Sequence, residues 1–179
     1  VTPHHLLLTD DLVRTYDPIY KVNPPLRSED DVRALREGLA DGTIDCVATD
    51  HAPHPMEDKE CEWSAAAFGM LGLETALSVV QHTMVDSGLL DWSGVARVMS
   101  AVPARIGRVG AHGRPVEAGE PANLVLYDPG ASGAVRPEAT ASLSRNTPYA
   151  GRELPGAVVA TFLRGRPTVL DGALVGAGA

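Results

Sequence analysis

Apolar and polar residues recur at helical spacing in one early segment of the chain. Ser28, followed three residues later by Asp31, is close to the capping-box pattern that begins a helix. Gly42 is a typical helix end, because glycine adopts the left-handed backbone at little cost. Between these two signals lies one apolar stripe, formed by Val32, Leu35 and Leu39. The pattern predicts a helix that begins after Ser28 and ends near Gly42.

A short apolar segment follows at residues 44–49. It is rich in β-branched and small apolar residues and runs into the polar sequence Asp50-His51-Ala52-Pro53, so it predicts a buried strand that ends in a loop. Two further helices are predicted near 71–87 and 93–101. The apolar face of the first contains Leu73, Leu77, Val80 and Met84. Helices that alternate with a strand in this way are typical of α/β folds.

The pattern changes near Gly107, where glycines, prolines and short β-type runs replace the helices. Residues 124–127 form one predicted strand. Residues 158–163 and 168–170 are predicted to form a hairpin around Arg164-Gly165-Arg166. The last four residues, Gly-Ala-Gly-Ala, are expected to be frayed. We therefore expect an α/β part and a β part, with a boundary near Gly107.

Composition narrows the classes of partner. The chain has 179 residues, of which 44% are hydrophobic, and its net charge is −8. An acidic surface repels phosphate backbones and anionic lipids, so we expect neither nucleic acid nor membrane as a partner. Every apolar stretch is far shorter than the ~20 residues that a membrane-spanning helix needs. The two cysteines, Cys46 and Cys61, do not suggest a disulfide framework, and we expect a cytoplasmic protein.

The sharpest candidate site is the segment from Thr49 to His54. It places one carboxylate and two imidazoles just past the end of a predicted strand, where ligands and metals bind in parallel α/β folds. A carboxylate can ligate zinc and transfer protons, and a neutral imidazole can ligate a metal or form hydrogen bonds. On spacing alone, an equally good interpretation makes Asp50 a turn residue and leaves His51 and His54 on a loop surface.

Two other polar groups are weaker candidates. Two prolines follow Asn23 and would hold its amide in a fixed pose, although a rigid connector is the better interpretation of this segment taken alone. His4 and His5 are adjacent, and neighbours on a strand point to opposite faces, so structural roles are the better interpretation. The sequence has no nucleophile-elbow pattern and no phosphate-binding glycine loop, which leaves serine hydrolases and nucleotide-binding folds without support.

Five segments taken together carry a family resemblance. They are Thr2-Pro-His-His-Leu-Leu-Leu, Asn23-Pro-Pro-Leu-Arg, Ala48-Thr-Asp-His-Ala-Pro-His, Phe68-Gly69 with Gly72-Leu-Glu-Thr, and Asn146-Thr-Pro-Tyr. In order and separation they resemble the dihydroorotases of the longer bacterial type, within the amidohydrolase superfamily, across essentially the whole chain. The related hydantoinases and allantoinases share the Asp-His pair but typically lack both His54 and the Asn-Pro-Pro-Leu-Arg form.

The resemblance implies an α/β fold, namely the last part of a (β/α)8 TIM-type barrel followed by part of a β-sandwich. Residues 1–107 would be the carboxy-terminal part of the metal-dependent hydrolase barrel, with 44–49 as its eighth strand. Residues 108–179 would be the carboxy-terminal share of the β-sandwich domain. A complete barrel needs ~250 residues. We therefore expect the chain to be part of a longer protein, and we interpret its opening at Val1 as the end of a strand that enters a loop.

The resemblance also implies a reaction, the reversible cyclisation of N-carbamoyl-L-aspartate to L-dihydroorotate in pyrimidine biosynthesis. Asp50 matches the family's metal-ligating aspartate, which is also the catalytic base. It would accept the proton of a zinc-bound hydroxide and transfer it to the leaving amide nitrogen. Asn23 and His54 match substrate-binding positions, and Phe68-Gly69 matches a backbone contact to the pyrimidine ring.

The metal site implied by the resemblance is incomplete. The family's other zinc ligands, for one or two Zn²⁺ ions, match no residue of the chain, so we expect poor metal binding and doubtful activity by these residues alone. Two alternatives therefore stay open beside a dihydroorotase. One is a non-catalytic dihydroorotase-like subunit that partners aspartate transcarbamoylase, and the other is a hydantoinase-like or allantoinase-like cyclic amidohydrolase. A homo-oligomer is a further candidate assembly.

Overall fold

In a computed structural model of the protein, residues 1–176 are described. The predicted fraying concerns the terminal Gly-Ala-Gly-Ala at 176–179, of which residues 177–179 lie outside this range. The chain opens with helix α1 (Pro3–Leu7) and not with the strand end expected at Val1. Proline stands in the first helical turn, where its missing N–H is no loss, and the Thr2 hydroxyl accepts a hydrogen bond from the His5 amide. These local helix-start signals outweigh the extended backbone that we expected.

Helix α2 (Glu29–Asp41) confirms the prediction from the apolar stripe. Ser28 is its N-cap, and a reciprocal capping box joins the Ser28 and Asp31 side chains and amides. Gly42 ends the helix with φ of 89°, in the left-handed region that favours glycine. Val32 and Leu39 are buried on the inner face of this helix.

The segment 44–49, predicted as a buried strand, is wrong as a strand. No β-ladder is formed there, and only Val47 is buried. Its backbone instead bonds to two separate places: the Val47 amide to the Val98 carbonyl at 3.0 Å, and the Ala48 amide to the Val1 carbonyl at 2.9 Å. A strand needs a continuous neighbour to form a ladder, and no named strand within residues 1–176 lies beside this segment.

Both helices predicted after this segment form in pieces, and the first of them begins at Ala76 and not near residue 71. Helix α3 (Ala76–Val80) continues as a π-helical turn, Gln81–Val85. Helix α4 (Trp92–Ala96) continues as a second π-helical turn, Arg97–Ala101, and then as helix α5 (Val102–Ile106). Leu73, which we placed on the buried face of the first helix, precedes it and is 60% exposed. Short 3-10 turns occur at Asp10–Thr15, Pro18–Tyr20, Met56–Asp58 and Pro137–Ala139.

The second part of the chain forms one antiparallel sheet in the order β1-β2-β3-β4. Its strands are β1 (Leu124–Ala134), β2 (Glu153–Leu163), β3 (Arg166–Leu170) and β4 (Ala173–Leu174). The predicted hairpin is confirmed, with Leu163 paired to Arg166 across the turn. An α/β part followed by an antiparallel β part agrees with the predicted fold class.

Two apolar cores hold these layers together. One packs α2, α3 and α4 around Leu39, Val80 and Val98. The other joins the α/β part to the sheet, because Leu154 of β2 and Tyr149 pack with Leu8, Val22, Met70 and Val79. This second core fixes the segment around Tyr149 against the segment around Met70, which borders the candidate site. Within residues 1–176, no helix has both the length and the apolar character needed to cross a membrane.

Candidate functional site

Asp50 stands directly after the segment 44–49, with its side chain exposed and its backbone at φ of 49°. Aspartate and asparagine are enriched in this left-handed region relative to other residues with a Cβ. The turn redirects the chain at this residue. The carboxylate is therefore presented to solvent at the end of a segment that is itself fixed by Val1 and Val98.

His51 closes the turn by accepting hydrogen bonds. Its Nδ1 receives the amides of Gly72 at 3.3 Å and Leu73 at 3.2 Å, and His51 also forms a parallel bridge with Met70. Because Nδ1 accepts, the proton of the neutral ring resides on Nε2. Gly72 is required here, since a Cβ on it would lie 3.0 Å from the Thr49 carbonyl oxygen. His51 thus joins residues 70–73 to the end of the segment 44–49.

His54 and Phe68, two of the residues matched to substrate binding, are in direct contact. The His54 Nε2 donates a hydrogen bond to the Phe68 carbonyl at 2.9 Å, and its Nδ1 lies 3.9 Å from an Asp58 carboxylate oxygen. Gly69 follows at φ of 122°, and a Cβ on it would lie 2.5 Å from the Ala52 Cβ. Glycine at position 69 therefore permits the close approach of the loop 66–69 to residues 52–54.

Asn146 connects this contact to the β part of the chain. Its side chain is fully buried, donates to the Ala52 carbonyl at 2.9 Å and accepts from the His54 amide at 3.2 Å. Its own carbonyl accepts from the Leu71 amide at 3.0 Å. We quoted this residue for the resemblance but predicted no role for it. The structure places it between the loops that carry His54 and Gly69.

Replacing the buried Asn146 with leucine is expected to lower the free energy of unfolding by about 2–4 kcal/mol, because the partly buried Ala52 carbonyl and His54 amide lose their partners. Urea denaturation measures the change. Asn123→Leu is the matched control. Asn123 also donates to one carbonyl and accepts from one amide, but in an exposed setting, so its loss should cost under about 1 kcal/mol. Equal losses in the two variants would contradict the bridging role of Asn146.

Asn23 and the two amino-terminal histidines form a neighbouring group. Asn23 is exposed and precedes a cis peptide bond to Pro24. The Pro24 carbonyl oxygen lies 3.0 Å from the His5 Nε2, which is a hydrogen-bond distance. The His5 Nδ1 lies 2.6 Å from the Thr2 hydroxyl, so His5 has the structural role that we preferred. His4 is buried. That burial, with a smaller effect from the His5 ring, lowers the pKa of His4 to about 3, and its ring is neutral at pH 7.

A zinc ion requires three or more converging ligands in proteins. Within residues 1–176, no such group of His, Cys, Asp or Glu side chains exists. The Nδ1 of His51 is already used by two amides, and the His54 Nε2 by a carbonyl. The described residues alone therefore do not fit a zinc site, and Asp50 is the single matched ligand that they offer.

Sequence reasoning missed Lys21 and Lys59 altogether. Both are buried, at 6% and 3% exposure, and both contact the loop that carries Phe68 and Gly69. They are the only lysines among the 15 basic residues of the chain. Their scarcity could have pointed to them, since a chain that uses arginine on its surface retains lysine where a compact ammonium is required.

Several known proteins are similar in sequence to this chain. No family model matches it. It is 72% identical over 174 residues to a dihydroorotase of Streptomyces coelicolor, 65% identical over 175 residues to one of Leifsonia xyli, and 57% identical over 172 residues to one of Mycobacterium tuberculosis. These matches cover 97%, 98% and 96% of this chain. The chain spans only about 40% of the length of these relatives.

Solved structures with a similar fold include hydantoinases. An L-hydantoinase (dihydropyrimidinase) from Arthrobacter aurescens superposes with a TM-score of 0.89 at 33% identity, over 97% of this chain and 39% of that one. A D-hydantoinase superposes with a TM-score of 0.88 at 25% identity, over 98% of this chain and 40% of that one. The likeness places the fold with the amidohydrolases, as the sequence predicted.

Proposed function

By sequence the chain belongs with the dihydroorotases, of which it matches a carboxy-terminal portion, and from that premise we propose that the protein cyclises N-carbamoyl-L-aspartate reversibly to L-dihydroorotate. This step belongs to pyrimidine biosynthesis. The observation that supports it most directly is the contact between the His54 ring and the Phe68 carbonyl beside Gly69. His54 and Phe68 come from separate parts of the sequence, both are matched to substrate binding, and they are in contact.

Asp50 is proposed as the catalytic base. In the ring-opening direction, water attacks the ring amide carbonyl, and the Asp50 carboxylate takes a proton from that water. The same proton passes to the ring nitrogen as the carbon–nitrogen bond breaks, which regenerates the carboxylate. A carboxylate on a fixed turn is suited to this transfer, because Asp50 is exposed and its backbone conformation is set by the turn.

Asn23, His54 and the Phe68–Gly69 backbone are proposed to bind the substrate. The Asn23 amide offers both a donor and an acceptor, as the polar ring and carboxylate of dihydroorotate require. Glycine at position 69 lets this backbone pack closely on Ala52 and beside His54.

Zinc is proposed as the metal of the whole protein, with Asp50 as one ligand. Because the described residues supply no complete site, the other ligands would have to come from beyond them. We further propose that residues 1–107 form the barrel part and residues 108–179 the β-sandwich part. A homo-oligomer, a complex with aspartate transcarbamoylase and a cytoplasmic location are proposals on the same premise.

A hydantoinase activity is the second candidate, favoured by the structural likeness to an L-hydantoinase. The sequence relatives at 57–72% identity favour dihydroorotase instead. The test is to purify the full-length protein with zinc and to follow dihydroorotate, N-carbamoyl-L-aspartate, hydantoin and allantoin by absorbance. We expect turnover of the first two alone. Hydrolysis of hydantoin without hydrolysis of dihydroorotate would overturn the proposal.

A further inference from the structure

Lys21 and Lys59 are buried cations without a counter-ion. They are 6% and 3% exposed, and within residues 1–176 neither forms an ion pair with a carboxylate. Lysine is almost never fully buried unless it is paired, because removing an ammonium from water costs several kcal/mol. Two such groups side by side therefore require a structural explanation in their hydrogen bonds.

The hydrogen bonds of the Lys21 ammonium are directed at the loop 63–66. Its Nζ donates to the carbonyls of Trp63 at 2.7 Å, Ser64 at 3.2 Å and Ala66 at 2.6 Å. The same Nζ lies 4.5 Å from the centroid of the Phe68 ring, within the range of a cation–π contact. Lys21 therefore fixes both the beginning of the loop and the side chain of Phe68.

Lys59 fixes residues 67–69, which follow directly and complete the loop 63–69. Its Nζ donates to the carbonyls of Ala67 at 2.9 Å and Gly69 at 3.0 Å, and more weakly to that of Lys21 at 3.4 Å. The Gly69 amide in turn donates to the Lys21 carbonyl at 2.9 Å. Burial, and then the charge of Lys21, lowers the pKa of Lys59 below its ordinary value.

The direction of successive carbonyls shows what these bonds achieve. The Ala67 and Gly69 carbonyls point to Lys59, whereas the Phe68 carbonyl between them points to His54. Because the two flanking peptides are held by one ammonium, the Phe68 peptide is held in the opposite orientation. Lys59 thus sets the carbonyl direction on which the contact with His54 depends.

We propose that Lys21 and Lys59 are positioning residues, which hold the Phe68–Gly69 backbone in the orientation that the substrate ring contacts. The proposal rests on the proposed function, since it names the residues that hold the backbone of the same substrate site. Neither lysine touches substrate in this arrangement. Their effect passes through the loop 63–69 and through His54.

Lys59→Met tests the proposal in the full-length protein, because methionine fills similar space and removes all the donors. We expect the KM for dihydroorotate to rise by about tenfold or more while kcat changes little, since misplacing a binding contact weakens substrate binding. Hydrogen exchange should show faster exchange at the amides of residues 66–70. Should Lys59→Met fail to fold, Lys59→Gln, which keeps one amide donor, takes its place with the same measurements.

Val95→Ala is the matched control, because Val95 is buried in the core of α4 and not in the loop. It should lower stability and leave KM and loop exchange unchanged. An unchanged KM in folded Lys59→Met would overturn the positioning role. A wild-type protein inactive on dihydroorotate would overturn the proposed function instead. In that case the exchange data alone decide whether the lysines hold the loop. Unchanged exchange in Lys59→Met would then overturn the positioning role.

Discussion

Replacing Asp50 with asparagine is expected to lower kcat for dihydroorotate by about 10³-fold, because an amide cannot accept the proton that the proposed mechanism transfers. Asparagine is chosen because it tolerates the left-handed backbone at φ of 49° as well as aspartate does. The fold should therefore survive the change. Steady-state kinetics of the full-length protein, with thermal unfolding measured in parallel, separates the chemical loss from a structural one.

Asp45→Asn is the matched control for this experiment. Asp45 is an exposed carboxylate in the segment that leads to Asp50, so its loss should leave kcat close to wild type. Asp50→Ala should be as inactive as Asp50→Asn but less stable, since alanine in the left-handed region is strained by roughly 1–3 kcal/mol. Near-normal turnover by Asp50→Asn would remove Asp50 from the proposed mechanism.

The features that the sequence predicted well are those with local causes. Helix α2 begins and ends where its capping box and Gly42 predict, because these signals act within four residues. The hairpin between β2 and β3 follows in the same way from its short Arg164–Gly165 turn. The segment 44–49 failed as a strand because strand pairing depends on neighbours that are distant in sequence.

The candidate site shows the same contrast between features that the sequence indicates and features that depend on distant residues. The structure brings His54 next to Phe68 and Gly69, while the substrate-binding roles of these residues and of Asn23, and the role of Asp50, stay predictions. The residues that arrange this contact, namely Asn146, Lys21 and Lys59, had no predicted role. Each is polar and buried, and its partners are mainly backbone carbonyls, which carry no identity in the sequence. Their contacts are visible only in the folded chain.

Gly69→Ala is expected to lower kcat/KM for dihydroorotate by about 10²-fold, through displacement of the loop that carries the proposed substrate contact. The new Cβ would lie 2.5 Å from the Ala52 Cβ and 3.2 Å from the His54 Nε2. The first distance is impossible without movement, so the loop or His54 must shift. The φ of 122° adds backbone strain, because residues with a Cβ avoid this region. Steady-state kinetics gives the change in kcat/KM.

Two variants separate the clash from the strain. Gly42 also has positive φ, at 89°, but a Cβ on it would meet nothing within 4 Å, so Gly42→Ala should lose some stability and little activity. Ala52→Gly removes the atom that the new Cβ meets, so the double variant Gly69→Ala with Ala52→Gly should recover part of the lost kcat/KM. If the double variant recovers nothing, close packing of Gly69 on Ala52 is not what holds the loop in place. Backbone strain at position 69 would then be the dominant cause of the loss. The Gly42→Ala variant measures the effect of such strain where there is no clash, and the loss in Gly69→Ala is compared with that effect.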